Sequence, residues 1–291
     1  MKQARKLSEP SLLTMRLKGD WEQATPLYEK AAGIYRQAKS YEKARVAYEQ
    51  AATGQERQGS PYHAAKSLEK AAEASAGLNA WEQVKDFYNR AAQLYAEASR
   101  SQAAADCLIK CAKVLEPHQP KECCNLYLQA IEMLEDEGRG TTALDAFRQA
   151  IASVLRNQNY ADGVRLLLRY AAACDAANTP SSLCRAYLGA IVVQLYAESA
   201  TEAWQIYQDA LGVESFSRSD QAYAAEDLFN AYQSADAQAV KKCIAKQIFL
   251  DLDNQVGRLA KQLPKGDLQA LANALGGKSF TPDDIDDDDL T

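Results

Sequence analysis

A helix-sized pattern returns about every 20 residues from residue 20 to residue 212, and it leaves few folds open. Four stretches show it in register: DWEQATPLYEKAA (20–32), SYEKARVAYEQAA (40–52), SPYHAAKSLEKAA (60–72) and AWEQVKDFYNRAA (80–92). The phase persists more weakly at 102–112, 122–131, 142–151, 162–171, 182–191 and 202–211. Twenty residues hold one helix of about four turns and a tight connection, and two such units make a hairpin of solenoid-repeat size. Inside the first block Ala24, Leu27, Tyr28 and Ala31 recur at helical spacing, and strand-like alternation is absent throughout. The frequent alanines allow close helix–helix approach. Turn and cap residues precede most blocks: Asp20, Ser40, Ser60-Pro61, Asn79, Pro120, Gly140, Asn159 and Thr179-Pro180. Connections this short predict antiparallel sequential helices. The expected fold is therefore all-α, a tetratricopeptide-like solenoid of helical hairpins.

The phase slips at Leu211-Gly212. Beyond it a helix is expected over Phe216–Tyr232 with Ser219 as N-cap, then helices near Ala237–Ala245, Leu252–Leu263 and Leu268–Leu275. The expected divisions are an N-terminal segment (1–19), the solenoid (20–214), a C-terminal helical bundle (215–275) and a flexible acidic tail (276–291).

The net charge of −6 belongs to the tail. Residues 283–291 hold six aspartates, without which the 39 acidic residues fall to 33, equal to the 33 basic ones. No domain-wide basic excess points to nucleic acid. Seven cysteines in irregular spacing argue against a disulfide framework and for a reducing compartment. No secretory signal and no run of about 18 apolar residues is present, so the expectation is a cytoplasmic protein, at most peripherally bound to membrane.

Chemistry-bearing patterns are weak. GGKS at Gly276–Ser279 lacks the first glycine of a P-loop, whose place holds Ala272, and follows a helix rather than a strand; a flexible linker explains it better. Cys107 and Cys111 share a helix face near Cys123-Cys124, but core thiols fit that apolar stripe better than a metal site. Neither His63 nor His118 stands at zinc spacing, and two histidines give little choice of general base. The chain is read as a non-enzyme that uses no cofactor and no metal.

The bases are more suggestive. Lys30, Lys70 and Lys110 recur 40 residues apart, one hairpin each, and Arg90 has the same phase in an intervening helix. Equivalent positions of a solenoid stack in a column. Either they are ordinary exposed charges of amphipathic helices, or they form a basic track for an elongated acidic partner. Near the N-terminus Leu12, Leu13, Met15 and Leu17 sit beside Arg16 and Lys18. Such a mix suits an anionic bilayer surface, and equally it could cap the first hairpin.

Taken together, the aromatic-E-x-A-x-x-x-Y-E-K/Q-A-A blocks, RAYLGAIVVQLY (185–196), FSRSDQAYAAEDLFNAY (216–232) and LDNQVGRLAKQL (252–263) resemble the soluble NSF attachment proteins, above all their gamma branch. The resemblance implies a twisted sheet of antiparallel helices with a C-terminal bundle. It implies an adaptor without catalysis that binds assembled SNARE four-helix bundles and recruits the hexameric ATPase NSF for their disassembly in vesicle fusion and intracellular protein transport. It implies a monomer when free and several copies per SNARE complex. The family's acidic ending with a penultimate leucine matches Asp286, Asp287, Asp288, Asp289 and Leu290, and the resemblance assigns Leu290 to stimulation of the ATPase. Its apolar membrane loop would fall at Leu12 through Leu17, on an N-terminus that is shortened and interrupted by Pro10. The alternative is a general tetratricopeptide scaffold for acidic peptides or chaperone tails, which would leave the acid–leucine ending without a role.

Overall fold

A computed structural model describes residues 1–9, 19–136 and 140–276. Its helices are α1 (Lys2–Ser8), α2 (Trp21–Gln37), α3 (Tyr41–Arg57), α4 (Pro61–Ala76), α5 (Trp81–Glu97), α6 (Ser101–Leu115), α7 (Pro120–Asp136), α8 (Gly140–Arg156), α9 (Tyr160–Ala176), α10 (Pro180–Tyr196), α11 (Ala200–Leu211), α12 (Glu214–Ser217), α13 (Asp220–Gln233), α14 (Ala237–Ile244), α15 (Gln247–Leu250), α16 (Asn254–Ala260) and α17 (Leu268–Leu275). No strand occurs among the described residues. The expected all-α hairpin repeat is what the sequence builds.

The 20-residue period is written into the connections. Lys39, Asn79, Ser99, Gln158, Asn178 and Glu198 take left-handed φ values between 52° and 64°, and Gly59 takes 67°. The next residue then donates its N–H five residues back: Ser40 to Tyr35 (2.8 Å), Ser60 to Gln55 (2.9 Å), Arg100 to Tyr95 (2.9 Å), Ser199 to Gln194 (3.0 Å). This is the Schellman closure, which satisfies the carbonyls a helix end leaves open. The residue that closes one helix thus stands at the N-cap of the next, and no room is left for a longer loop.

This geometry divides the expected turn and cap residues by role. Asp20 and Asn159 do cap, each side chain accepting from the N–H three residues on. Ser40 and Ser60 occupy the N-cap without a side-chain bond. The Thr179 hydroxyl turns back and donates to the Cys174 carbonyl at 3.0 Å. Asn79 is the left-handed residue and Ala80 takes the cap. Between α6 and α7 the left-handed residue is missing, and Gln119 N–H bonds the Leu115 carbonyl at 2.7 Å. One residue is lost there, which moves helix starts from Trp81 and Ser101 to Pro120 and Gly140.

By contact density the chain divides after Ser153 into two compact units. In the first, consecutive helices from α2 to α7 are neighbours. Arg36–Glu73 and Lys110–Glu69 link α2, α4 and α6; Arg90–Glu56 and Lys85–Glu122 link α3, α5 and α7. The helices therefore alternate between an even-numbered and an odd-numbered layer. Alanine fills the seam: Ala24, Ala32, Ala44, Ala51, Ala64, Ala71 and Ala104 are fully buried. The aromatic residue that opens a block clamps the end of the next helix. Trp81 stacks on His118 at 3.7 Å, Trp21 lies under the Arg57 guanidinium at 4.9 Å, and a side chain at Gly77 would start 2.9 Å from the Tyr41 ring. The short α1 packs on α2 through Ala4, Leu7 and Tyr28.

In the second unit α10 is apolar all round, with Leu183, Leu188, Ile191, Val192, Val193 and Leu195 buried, so it sits at the centre. Helices α9, α11, α12, α13 and α16 surround it. Beyond Gly212 the expected helix over 216–232 is two elements: α12 holds the buried Phe216, and α13 starts after Ser219, whose hydroxyl accepts from Ala222 N–H at 3.2 Å. The loop after α16 is fastened by Lys265, whose ammonium lies 4.4 Å from the Tyr196 ring centre and pairs with Glu198.

Candidate functional site

The column of bases lands on two layers. Lys30, Lys70 and Lys110 belong to α2, α4 and α6, the even layer, and all three are exposed. Arg90 belongs to α5, in the odd layer. Their environments differ as much as their places. Lys30 makes no ion pair among the described residues. Lys70 has an aromatic neighbour, its ammonium 5.8 Å from the Tyr48 ring centre. Lys110 donates to Glu69 at 2.6 Å, and Glu69 also accepts from the Tyr95 hydroxyl, so one carboxylate ties α4, α5 and α6. Burial opposes the Lys110 charge most strongly of any single cause, but the Glu69 hydrogen bond and the charges of Glu69, Cys107 and Asp106 together hold the ammonium above its ordinary pKa. Arg90 gives one guanidinium nitrogen to both Glu56 oxygens, at 2.7 and 3.0 Å.

Half the column therefore already serves the array. Glu56 and Glu69 are the residues that sequence reasoning missed. A signal existed: each opposes a base of the next hairpin, 34 and 41 residues on. The even layer carries a further base, Lys66, 4.5 Å from the Tyr62 ring centre. Aromatic faces hold Lys66 and Lys70 in place without neutralising them.

The candidate membrane residues Leu12, Leu13, Met15 and Leu17 lie outside the described residues, but their flanks do not. Asp20 N–H donates to the Leu7 carbonyl at 2.7 Å, and a side chain at Gly19 would start 2.0 Å from the Ser8 carbonyl oxygen. The chain therefore leaves and re-enters at one point. The tail residues Asp286, Asp287, Asp288, Asp289 and Leu290 also lie outside the described residues.

The residues weighed for chemistry have structural surroundings. Cys107 donates to the Tyr88 carbonyl at 3.5 Å and Cys123 to the Ala112 carbonyl at 3.2 Å. Burial pushes the Cys111 thiol up to about 12 and the Cys123 thiol to about 11, and it raises Cys107 as well. Among the described residues no three His, Cys, Asp or Glu gather as metal ligands. His63 and His118 are exposed. Gly276 ends α17, and the rest of GGKS lies outside the described residues. No helix of the described residues is long and apolar enough to cross a membrane.

Hairpins stacked in two layers make a protein of the helical-repeat class. The particular family follows from comparison with known proteins. The profile of the soluble NSF attachment proteins (SNAP) matches residues 1–248, and the chain belongs to that family. The gamma-soluble NSF attachment protein of Arabidopsis thaliana is 38% identical over 291 residues, which is 100% of this chain and 97% of that one. The gamma-soluble NSF attachment protein of Dictyostelium discoideum is 30% identical over 263 residues, 90% of this chain and 81% of that one. Among solved structures a circular tandem repeat protein with novel repeat topology aligns with 94% of this chain and 76% of its own, at 12% identity and a TM-score of 0.46, too weak a likeness to bear on fold or function.

Proposed function

We infer that this chain is a non-catalytic adaptor that holds assembled SNARE bundles and brings the NSF ATPase to them for disassembly in vesicle fusion and intracellular protein transport. The observation that carries this reading is the likeness, over 100% and 90% of the chain, to two proteins named for NSF attachment. In it, residues 20–214 form the gripping array and residues 215–275 a closing bundle. Lys30, Lys70 and Lys110 on the even layer face the acidic exterior of the bundle, with Lys30 and Lys70 contributing most because no carboxylate of the array holds them. Arg90 does the same for a partner only where Glu56 releases it. Residues Leu12, Leu13, Met15 and Leu17 touch anionic membrane, a role supported by their apolar and basic composition. The protein works in the cytoplasm, peripheral to membranes, as a monomer when free and as several copies around one SNARE bundle.

The tail, Asp286, Asp287, Asp288, Asp289 and Leu290, engages a basic surface of the ATPase and sets off its hydrolysis. Co-sedimentation of purified NSF and a SNARE bundle with the full chain, and with a chain lacking residues 283–291, tests it. Both chains are expected to bind SNAREs. The shortened one, and Leu290→Ala, should leave ATP hydrolysis at its unstimulated rate. Full stimulation by either would remove the tail from the mechanism.

A further inference from the structure

The odd layer, opposite the lysines, has a feature that SNARE binding leaves without a role. A groove of about 500 Å³ runs between α5 and α7, and its floor is Ala92, Ala96, Leu108 and Met133. Its rim carries Glu132 and Asp136, and among the described residues no base lines it. The furrow one repeat earlier, between α3 and α5, differs in kind: the Glu56–Arg90 pair lies across it and its lining is mostly polar. Helices α3, α5 and α7 start at Tyr41, Trp81 and Pro120, so positions can be matched along them. The place of Glu56 is taken in α5 by Ala96, and that of Arg90 in α7 by Gln129. Loss of both halves of one ion pair uncovers the apolar floor.

We propose that this groove is a docking site for a basic amphipathic helix, held on the odd layer. The floor supplies apolar contact, and the thioether of Met133 adapts to the shape of an anchor. Asp136 at the rim favours lysine or arginine beside that anchor and disfavours an acidic helix. From Asn89 to Ala96 the groove spans about 10 Å at 1.5 Å per residue, two turns, which suits anchors at i and i+3 or i+4. A helix is the fitting form because an all-helical wall offers no open strand edge for an extended peptide to join. The inference goes beyond the adaptor reading and stands without it.

The test restores the missing pair. Ala96→Glu with Gln129→Arg places in α5 and α7 what Glu56 and Arg90 place one repeat earlier, and it leaves net charge unchanged. The probe is a fluorescent 14-residue amphipathic peptide of leucine and lysine; the same design in leucine and glutamate, and polylysine of equal length, are its comparisons. The leucine–lysine peptide should bind the natural chain at least tenfold more tightly than either comparison, and the double variant should lose at least tenfold. SNARE capture by the variant, measured in parallel, should not change. Equal binding by the variant, or by polylysine, overturns the proposal. So does concentration-dependent self-association of the natural chain that the variant lacks, which would make a second copy the occupant.

Discussion

Lys39, Gln158 and Glu198 hold a backbone conformation that glycine adopts freely and L residues enter at a cost of about 1–2 kcal/mol. They hold it because the Schellman closure and the next helix's start leave no other path. Of the repeat connections that use it, that at Gly59 supplies the residue best suited to it. Lys39→Gly and Gln158→Gly should each stabilise by about 0.5 kcal/mol, since relief of strain exceeds the extra freedom given to the unfolded chain. Gly59→Ala should cost about 1 kcal/mol. Thermal melts of the three variants check this, and a lower melting temperature for both glycine variants would mean that the connections are not strained. Asn79 was legible as a turn residue, and takes the left-handed place, whereas a lysine, a glutamine and a glutamate carry no turn signal and were not.

At the scale of elements, α6 and α7 are joined by thiols that burial keeps protonated. Cys111 stands at about 12 and Cys123 at about 11, both above 9.0. A raised pKa in the folded state means that the unfolded chain releases its protons first. Stability is then complete below pH 9.0 and is lost as pH rises through about 11–12. Cys111→Ala, which removes one such group at the price of a small cavity, should melt lower at pH 7 and lose less between pH 8 and pH 11 than the natural chain. Parallel slopes would show that the thiols do not titrate with unfolding. Helices long enough to show a period were legible here: α17 spans the expected Leu268–Leu275, and Ser219 caps α13 as expected. The short α12 and α15 were not, because four residues hold barely one turn and periodicity cannot register it.

At the scale of the whole molecule, the sequence displays the repeat but not the division of its bases. Spacing alone aligns Lys30, Lys70, Arg90 and Lys110; antiparallel alternation of helices puts Arg90 in the other layer, and only the folded array reveals which cations Glu56 and Glu69 have taken. The α5–α7 groove was illegible for the same reason, since Ala96 and Gln129 gain meaning only when set against Glu56 and Arg90. This division yields an ordering for capture of an acidic partner. Lys30→Glu with Lys70→Glu removes two cations that no carboxylate of the array holds, and should weaken SNARE capture about tenfold at low salt, given roughly 0.2–1 kcal/mol for each exposed pair lost and the added repulsion of each new carboxylate. The deficit should shrink as ionic strength rises toward 0.5 M, where screening reaches only a few ångströms. Arg90→Gln should leave capture nearly unchanged and lower the melting temperature instead, because it frees Glu56 inside the array. Binding measured across a salt series separates the two: an Arg90 variant as defective as the lysine pair would place the SNARE contact on the odd layer, and a lysine pair that binds normally at every salt would end the case for an even-layer track.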